Sequence, residues 1–212
     1  MQRESESPTP YHGLYFHGLG TTQLTLIDRI FFSHLRHRGI ELEHALVDWH
    51  GDQSFQELFD HATEQAEQRL RTYGQLTLVG ASAGGSMAVN VFHRLRSGDP
   101  DLNISVISLS GRLHIGDPQH LERRALHRLG KPSPAFIGSV THCHEVAIPG
   151  LTEADKQLVG VARPWIERTV PLATMSIEDA HEYTVPAIGH VAGIGLGALW
   201  LPRILDDMAL PT

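Results

Sequence analysis

The stretch Leu76-Thr77-Leu78-Val79-Gly80-Ala81-Ser82-Ala83-Gly84 decides the fold. An apolar, β-branched run enters a turn with glycines at both ends and a serine at its middle. The pattern predicts a buried strand over 76–79 and a helix from Ser86 to Leu95, closed by Gly98-Asp99-Pro100. A sharp strand-to-helix turn pushes its serine hydroxyl into a cleft and aims a helix N-terminus at whatever binds there. Gly80 and Gly84 suit that turn, because side chains there would meet the strand and helix backbones. Alone, the motif is a weak signal, since a glycine-rich turn that binds phosphate or only packs reads the same way. The strand before it and the helix after it favour a nucleophile at Ser82.

Upstream, Gly13 to Phe16 reads as a buried strand stopped by His17-Gly18-Leu19-Gly20. Leu24, Ile27, Ile30, Phe31 and Leu35 recur at helical spacing, and Gly39 ends that helix. Ile40 to Val47 predicts a strand closed by Asp48-Trp49-His50-Gly51. Ser54 and Glu57 form a capping box for a helix whose face is Phe55, Phe59, Ala62, Ala66 and Leu70, ended by Gly74. Downstream, Ile104 to Leu109 is another strand, and 158–162 a further one. Leu172 to Ala180 suggests a short helix, Tyr183 to Ala187 a last strand, and Ile194 to Met208 a closing helix interrupted by Pro202. Gly111 to Gly150 breaks the alternation with helical patches at Pro118–Leu129 and Ser133–Glu145, and reads as an inserted cap. Strand and helix alternating in this way specify a mostly parallel sheet with helices on both faces.

Composition narrows the function. A chain of 212 residues suits one domain, with residues 1–11 as a loose tail and about 111–150 as the cap. A formal charge of −7 argues against nucleic acid. No apolar run approaches the roughly 20 residues that span a bilayer. The polar, acidic start does not read as a signal peptide. Cys143 is the single cysteine, so no intrachain disulfide forms. These features lead to the expectation of a cytoplasmic protein without stable membrane insertion. Fifteen histidines are scattered without an HExxH or a zinc-spaced quartet, so neither a metal nor a cofactor is expected.

Serine-based acyl transfer needs a nucleophile, a base, a group that orients the base, and donors for the oxyanion. Ser82 is the candidate nucleophile. His190, after the last strand, is the candidate base, because it follows both serine and acid in chain order. The backbone N–H groups of Leu19 and Ala83 are the candidate oxyanion donors. His17 reads as a histidine that holds its loop. Glu167, just after a strand, is the favoured acid, and Asp179 is the alternative. Asp155 reads as a first-turn residue of a helix capped by Thr152. Arg112, Arg123 and Arg124 are candidates to meet an anionic substrate.

These motifs, in this order, resemble the α/β-hydrolase superfamily, from about Tyr15 to Met208. The most specific parts are His17-Gly18-Leu19-Gly20, Gly80 to Gly84 and Gly189-His190. Glu167 to Pro171 also resembles the family's acid-x-x-Val-Pro pattern, with Glu in place of the commoner Asp. The resemblance implies a reduced core of about six parallel strands, as in small lipase-like and cutinase-like members. It places the Gly111–Gly150 segment where members carry a lid. It further implies hydrolysis of a small-molecule ester through an acyl-enzyme on Ser82. A non-catalytic ligand binder on the same fold and an acyltransferase are the other readings. The apolar residues Leu113, Ile115, Leu121, Leu126, Leu129, Phe136 and Ile137 either line an acyl pocket or pack the cap onto the core.

Overall fold

The computed structural model describes residues 11–19, 26–125 and 133–208. Leu24, Leu126 and Leu129 lie outside these residues, and the side chains of Ile27 and Arg124 are likewise not described. The described strands form one six-stranded sheet in the order β2-β1-β3-β4-β5-β6. They are β1 (Tyr11–Phe16), β2 (Ile40–Ala45), β3 (Leu76–Ala81), β4 (Ile104–Leu109), β5 (Val159–Ile166) and β6 (His181–Ile188). Every adjacent pair is parallel. Residues of β3 and β4 are buried along their whole length, as strands covered on both faces must be.

Two apolar layers flank the sheet. Leu14, Phe16, Leu76 and Leu78 pack against α2 (Phe55–Tyr73) and α3 (Ala83–Gly98). Tyr15, Val79, Ile107 and Ala162 face the other way, toward α1 (Leu26–Arg36) and the C-terminal helices. The capping box holds: Ser54 Oγ accepts from the Glu57 N–H while the Glu57 carboxylate accepts from the Ser54 N–H at 2.7 Å. Gly74 closes α2 at φ 74°, a left-handed conformation that glycine adopts without penalty.

The inserted segment carries α4 (Pro118–Ala125) and α5 (Pro134–His142). A π-helical turn (Cys143–Ala147) and two short pieces follow, α6 (Ile148–Gly150) and α7 (Glu153–Lys156). Its apolar residues go into packing: Leu113, Leu121, Phe136 and Val140 join the α2–α3 layer. Ser139 on α5 accepts from Asn90 Nδ2 at its carbonyl (2.9 Å) and meets Ser86 Oγ at 2.8 Å, so α5 is tied to α3 by buried polar contacts. Arg96 pairs with Asp155 at 2.6 Å, and Thr152 caps α7.

Several elements depart from the sequence expectation. Helix α3 begins at Ala83, not Ser86, because the small residues after Ser82 let its first turn sit directly on the sheet. The helix expected over Leu172–Ala180 is a single 3-10 turn, Leu172–Thr174. Met175 and Ile177 are buried there as loop side chains, two residues apart, a spacing that one helix face does not present. The closing helix is two helices, α8 (His190–Leu199) and α9 (Leu201–Asp207). They break at Trp200, because Pro202 lacks the N–H that a continuous helix needs. Tyr11, assigned to the tail by sequence, is the first residue of β1, and residues 1–10 lie outside the described ones.

The strand order fixes where a site can form. From β1 the chain steps outward to β2, returns past β1 to β3, and then proceeds outward the other way. The crossovers therefore diverge between β1 and β3, and a crevice opens at the carboxyl ends of those two strands. Phe16-His17-Gly18 and Ala81-Ser82-Ala83 lie there.

Candidate active site

Ser82 sits between the last residue of β3 and the first of α3 with φ 54° and ψ −117°. A non-glycine residue at positive φ stores backbone strain, which surrounding contacts must hold. The Ser82 N–H donates to Leu109 O on β4 at 3.0 Å, and Gly85 N–H donates back to Ser82 O at 3.0 Å. The glycines have steric reasons. A Cβ on Gly80 would strike the Gly84 carbonyl, and a Cβ on Gly84 would strike the Phe16 carbonyl at the end of β1. Gly18 lies against Ser82, where an added Cβ would be 3.0 Å from Ser82 Cβ.

His190 opens α8. Its Nε2 is 2.7 Å from Ser82 Oγ, across 108 residues of sequence. Its Nδ1 is 3.1 Å from Glu167 Oε2. The Glu167 side chain has no solvent exposure, and that of His190 is 13 % exposed. The second carboxylate oxygen of Glu167 accepts from the N–H groups of Thr169 and Val170, so this carboxylate is oriented by its own turn. Gly189, at φ 91°, donates its N–H to Ile166 O at 2.7 Å. That bond ties the residue before His190 to the residue before Glu167. A carboxylate only accepts, so Nδ1 carries the proton and Nε2 is left bare toward the serine hydroxyl.

Asp179 is elsewhere. It precedes β6, at the amino edge of the sheet, is exposed, and faces Lys156 Nζ at 3.5 Å. The length of β6, about 25 Å at the usual rise, separates it from His190. Arg112 does not face the cleft: it is 1 % exposed, and its guanidinium donates to the carbonyls of His114 (3.2 Å), Ile115 and Asp117. Arg123 is exposed and donates to Gln119 O within α4.

His17 is buried, and its Nδ1–H donates to Gly18 O at 2.6 Å. Sequence missed two neighbours of this loop, Trp49 and His50. Trp49 Nε1–H donates to His17 O at 3.2 Å, and His50 Nε2–H donates to Leu19 O at 3.1 Å. Both lie in the turn that ends β2, and nothing local marks them as partners of a loop some thirty residues earlier. Leu19 ends the first described stretch, and Ala83 is the first residue of α3.

Burial holds the pKa values of His17, His44, His93, His114 and His142 below the ordinary imidazole range, and burial is the largest cause at each. At His44 the neighbouring His17 lowers it further. The consequence for stability has a definite sign. Below about pH 6.5 the unfolded chain takes up protons on these rings while the folded chain does not. The unfolded state then binds more protons, so stability falls as pH falls. The melting temperature is expected to drop steadily between pH 7.5 and 5 in a calorimetric series, and a flat profile over that range would contradict the burial of these rings.

Among the described residues, no group of three or more His, Cys, Asp or Glu side chains is placed to hold a metal ion. No helix among them is long and apolar enough to cross a membrane.

Solved structures share this architecture. A structure described with the metagenome-derived lipolytic enzymes LipS and LipT superposes with a TM-score of 0.67 at 15 % identity, over 94 % of each chain. The chain has the α/β-hydrolase fold. Est1E from Butyrivibrio proteoclasticus matches at TM-score 0.61 and 15 % identity, covering 97 % of this chain and 91 % of its own. A monoacylglycerol lipase from Paleococcus ferrophilus matches at 0.57 and 13 %, covering 94 % and 96 %. At these identities the likeness establishes the fold alone. No protein-family model matches the sequence, and none of the curated proteins matches it.

Proposed function

We propose that this α/β-hydrolase-fold chain is a serine hydrolase that cleaves carboxylic esters of small molecules. The observation that carries the proposal is the unbroken relay Ser82 Oγ–His190 Nε2 (2.7 Å) and His190 Nδ1–Glu167 Oε2 (3.1 Å). The residues come from three separate loops at the carboxyl edge of one parallel sheet. A ligand-binding protein has no need of such a relay.

In this mechanism Ser82 Oγ bonds to the ester carbonyl carbon while its proton passes to the bare Nε2 of His190. The carbonyl π electrons move onto oxygen, and the Leu19 and Ala83 N–H groups receive that oxyanion. As the carbonyl reforms, the C–O bond to the alcohol breaks and His190 returns the proton to the leaving oxygen. Water then repeats the sequence on the acyl-enzyme, giving the acid and restoring Ser82. Glu167 holds the imidazole in the working tautomer and stabilises its transient positive charge. The N-terminus of α3 behind Ser82 adds favourable dipole. No step calls on a cofactor.

The structural neighbours described as lipolytic enzymes and as a monoacylglycerol lipase support an ester substrate over an amide. The test is a p-nitrophenyl ester panel of increasing acyl length. A burst of about one p-nitrophenol per protein, followed by slower turnover, is expected, because an acyl-enzyme must form before it is hydrolysed. Absence of both burst and turnover across the panel would contradict the proposal.

A further inference from the structure

Three successive carbonyl oxygens in the loop after β1 are each held by a ring N–H. His17 O accepts from Trp49 Nε1 (3.2 Å), Gly18 O from Nδ1 of His17 itself (2.6 Å), and Leu19 O from His50 Nε2 (3.1 Å). Carbonyl oxygens only accept, so both histidine nitrogens named carry the proton. In a trans peptide the N–H points opposite to the preceding C=O. The bond on His17 O therefore aims the Gly18 N–H, and the bond on Gly18 O aims the Leu19 N–H, both away from the ring donors. Ser82 stands beside this loop: an added Cβ on Gly18 would be 3.0 Å from Ser82 Cβ and 3.4 Å from Ser82 Oγ.

We infer that Trp49 and His50 are positioning residues, which hold the carbonyls on either side of the Gly18–Leu19 peptide so that the Leu19 N–H, aimed by the His17 ring, is kept in place for the developing oxyanion at Ser82. The inference rests on the hydrolase reading given above. The grip is itself anchored. Trp49 is 2 % exposed, packs edge-on to Phe136 at 6.0 Å, and has its own carbonyl bound by Ser133 Oγ. Ser133 also caps α5, accepting from the Phe136 N–H at 3.2 Å. The inserted segment is thus connected through Ser133 and Trp49 to the loop beside the nucleophile. Asp48 Oδ1 accepts from the N–H groups of His50 (3.1 Å) and Gly51 (3.0 Å), which fixes the turn that presents His50. Oxyanion donors stabilise the transition state only when their geometry is set before reaction, so a grip on the loop carbonyls has catalytic consequences without touching substrate.

The experiment compares His50→Ala, His50→Gln and Trp49→Phe with the wild type on p-nitrophenyl butyrate, at active-site concentrations titrated with a fluorophosphonate. His50 is exposed, and Phe keeps most of the buried ring at 49, so these variants should fold. His50→Ala and Trp49→Phe are expected to lower kcat by about 10–100-fold with KM nearly unchanged. A boronic acid transition-state analogue should bind these two more weakly by a similar factor, and His50→Gln, which keeps a donor at the same reach, should recover most of the loss. Wild-type kcat in His50→Ala and Trp49→Phe would overturn the inference while leaving the hydrolase reading intact. A loss expressed only in KM, or equal in His50→Ala and His50→Gln, would overturn it too. A wild-type protein that fails to titrate overturns the hydrolase reading and this inference with it.

Discussion

Ser82→Ala is expected to lower ester turnover by about a millionfold, the scale on which removal of a triad nucleophile acts. The proposed relay delivers its base to one atom, Ser82 Oγ, at 2.7 Å, and no other described hydroxyl occupies that position at the end of β3. Without Oγ, His190 has no proton to take and no acyl-enzyme can form. The loop and the α3 N-terminus would still bind an ester and polarise its carbonyl, so a small residual rate over water should remain. The fold should survive. Alanine is no larger than serine, and the backbone bonds at position 82 run through main-chain atoms. Steady-state kinetics beside circular dichroism will separate loss of chemistry from loss of structure; turnover within tenfold of wild type would remove Ser82 from the mechanism.

Glu167→Gln carries the second large effect, a loss in kcat of about ten-thousandfold. The side chain is fully buried, and one carboxylate oxygen is already taken by the N–H groups of Thr169 and Val170. A glutamine must keep its carbonyl oxygen on those donors, so its NH2 group is turned toward His190 Nδ1. The imidazole then presents a lone pair at Nδ1 and a proton at Nε2, the tautomer that cannot accept from Ser82. Asp179→Asn, at the opposite edge of the sheet beside Lys156, should leave kcat within about twofold, as surface substitutions usually do. The reverse result would move the acid to Asp179 and refute the geometry of the β5–Glu167 turn.

The parts of the fold that are legible in sequence are those dictated by local sterics and periodicity. The β3 turn is one: Gly80 and Gly84 are demanded by backbone approaches that no side chain survives. The Ser54–Glu57 box and the Gly74 cap are others, since their bonds close within a few residues. His190 is legible through chain order, and Glu167 through its place after a strand. Sequence favours Glu167 over Asp179 because Glu167 follows a strand and Asp179 precedes one, and the fold brings Glu167 beside His190 and Asp179 beside Lys156.

What sequence does not show depends on contacts between distant segments. Leu172 to Ala180 reads as a short helix, yet Met175 and Ile177 are buried by a loop whose helical part ends after one turn. Arg112 reads as a candidate to meet an anionic substrate, whereas the fold buries it among carbonyls of its own loop. Trp49 and His50 have no motif at all. Their relation to the His17–Leu19 loop follows from the parallel pairing of β1 with β2, which brings the carboxyl ends of both strands together.

The most direct test of the central proposal is fluorophosphonate labelling followed by mapping of the modified peptide by mass spectrometry. Phosphonylation needs a serine whose proton is accepted as it attacks, so it reports an activated nucleophile without assuming a natural substrate. The account predicts one adduct per chain, located on Ser82 and absent from Ser82→Ala. No adduct on the wild type, or an adduct that persists at another residue in Ser82→Ala, would contradict it.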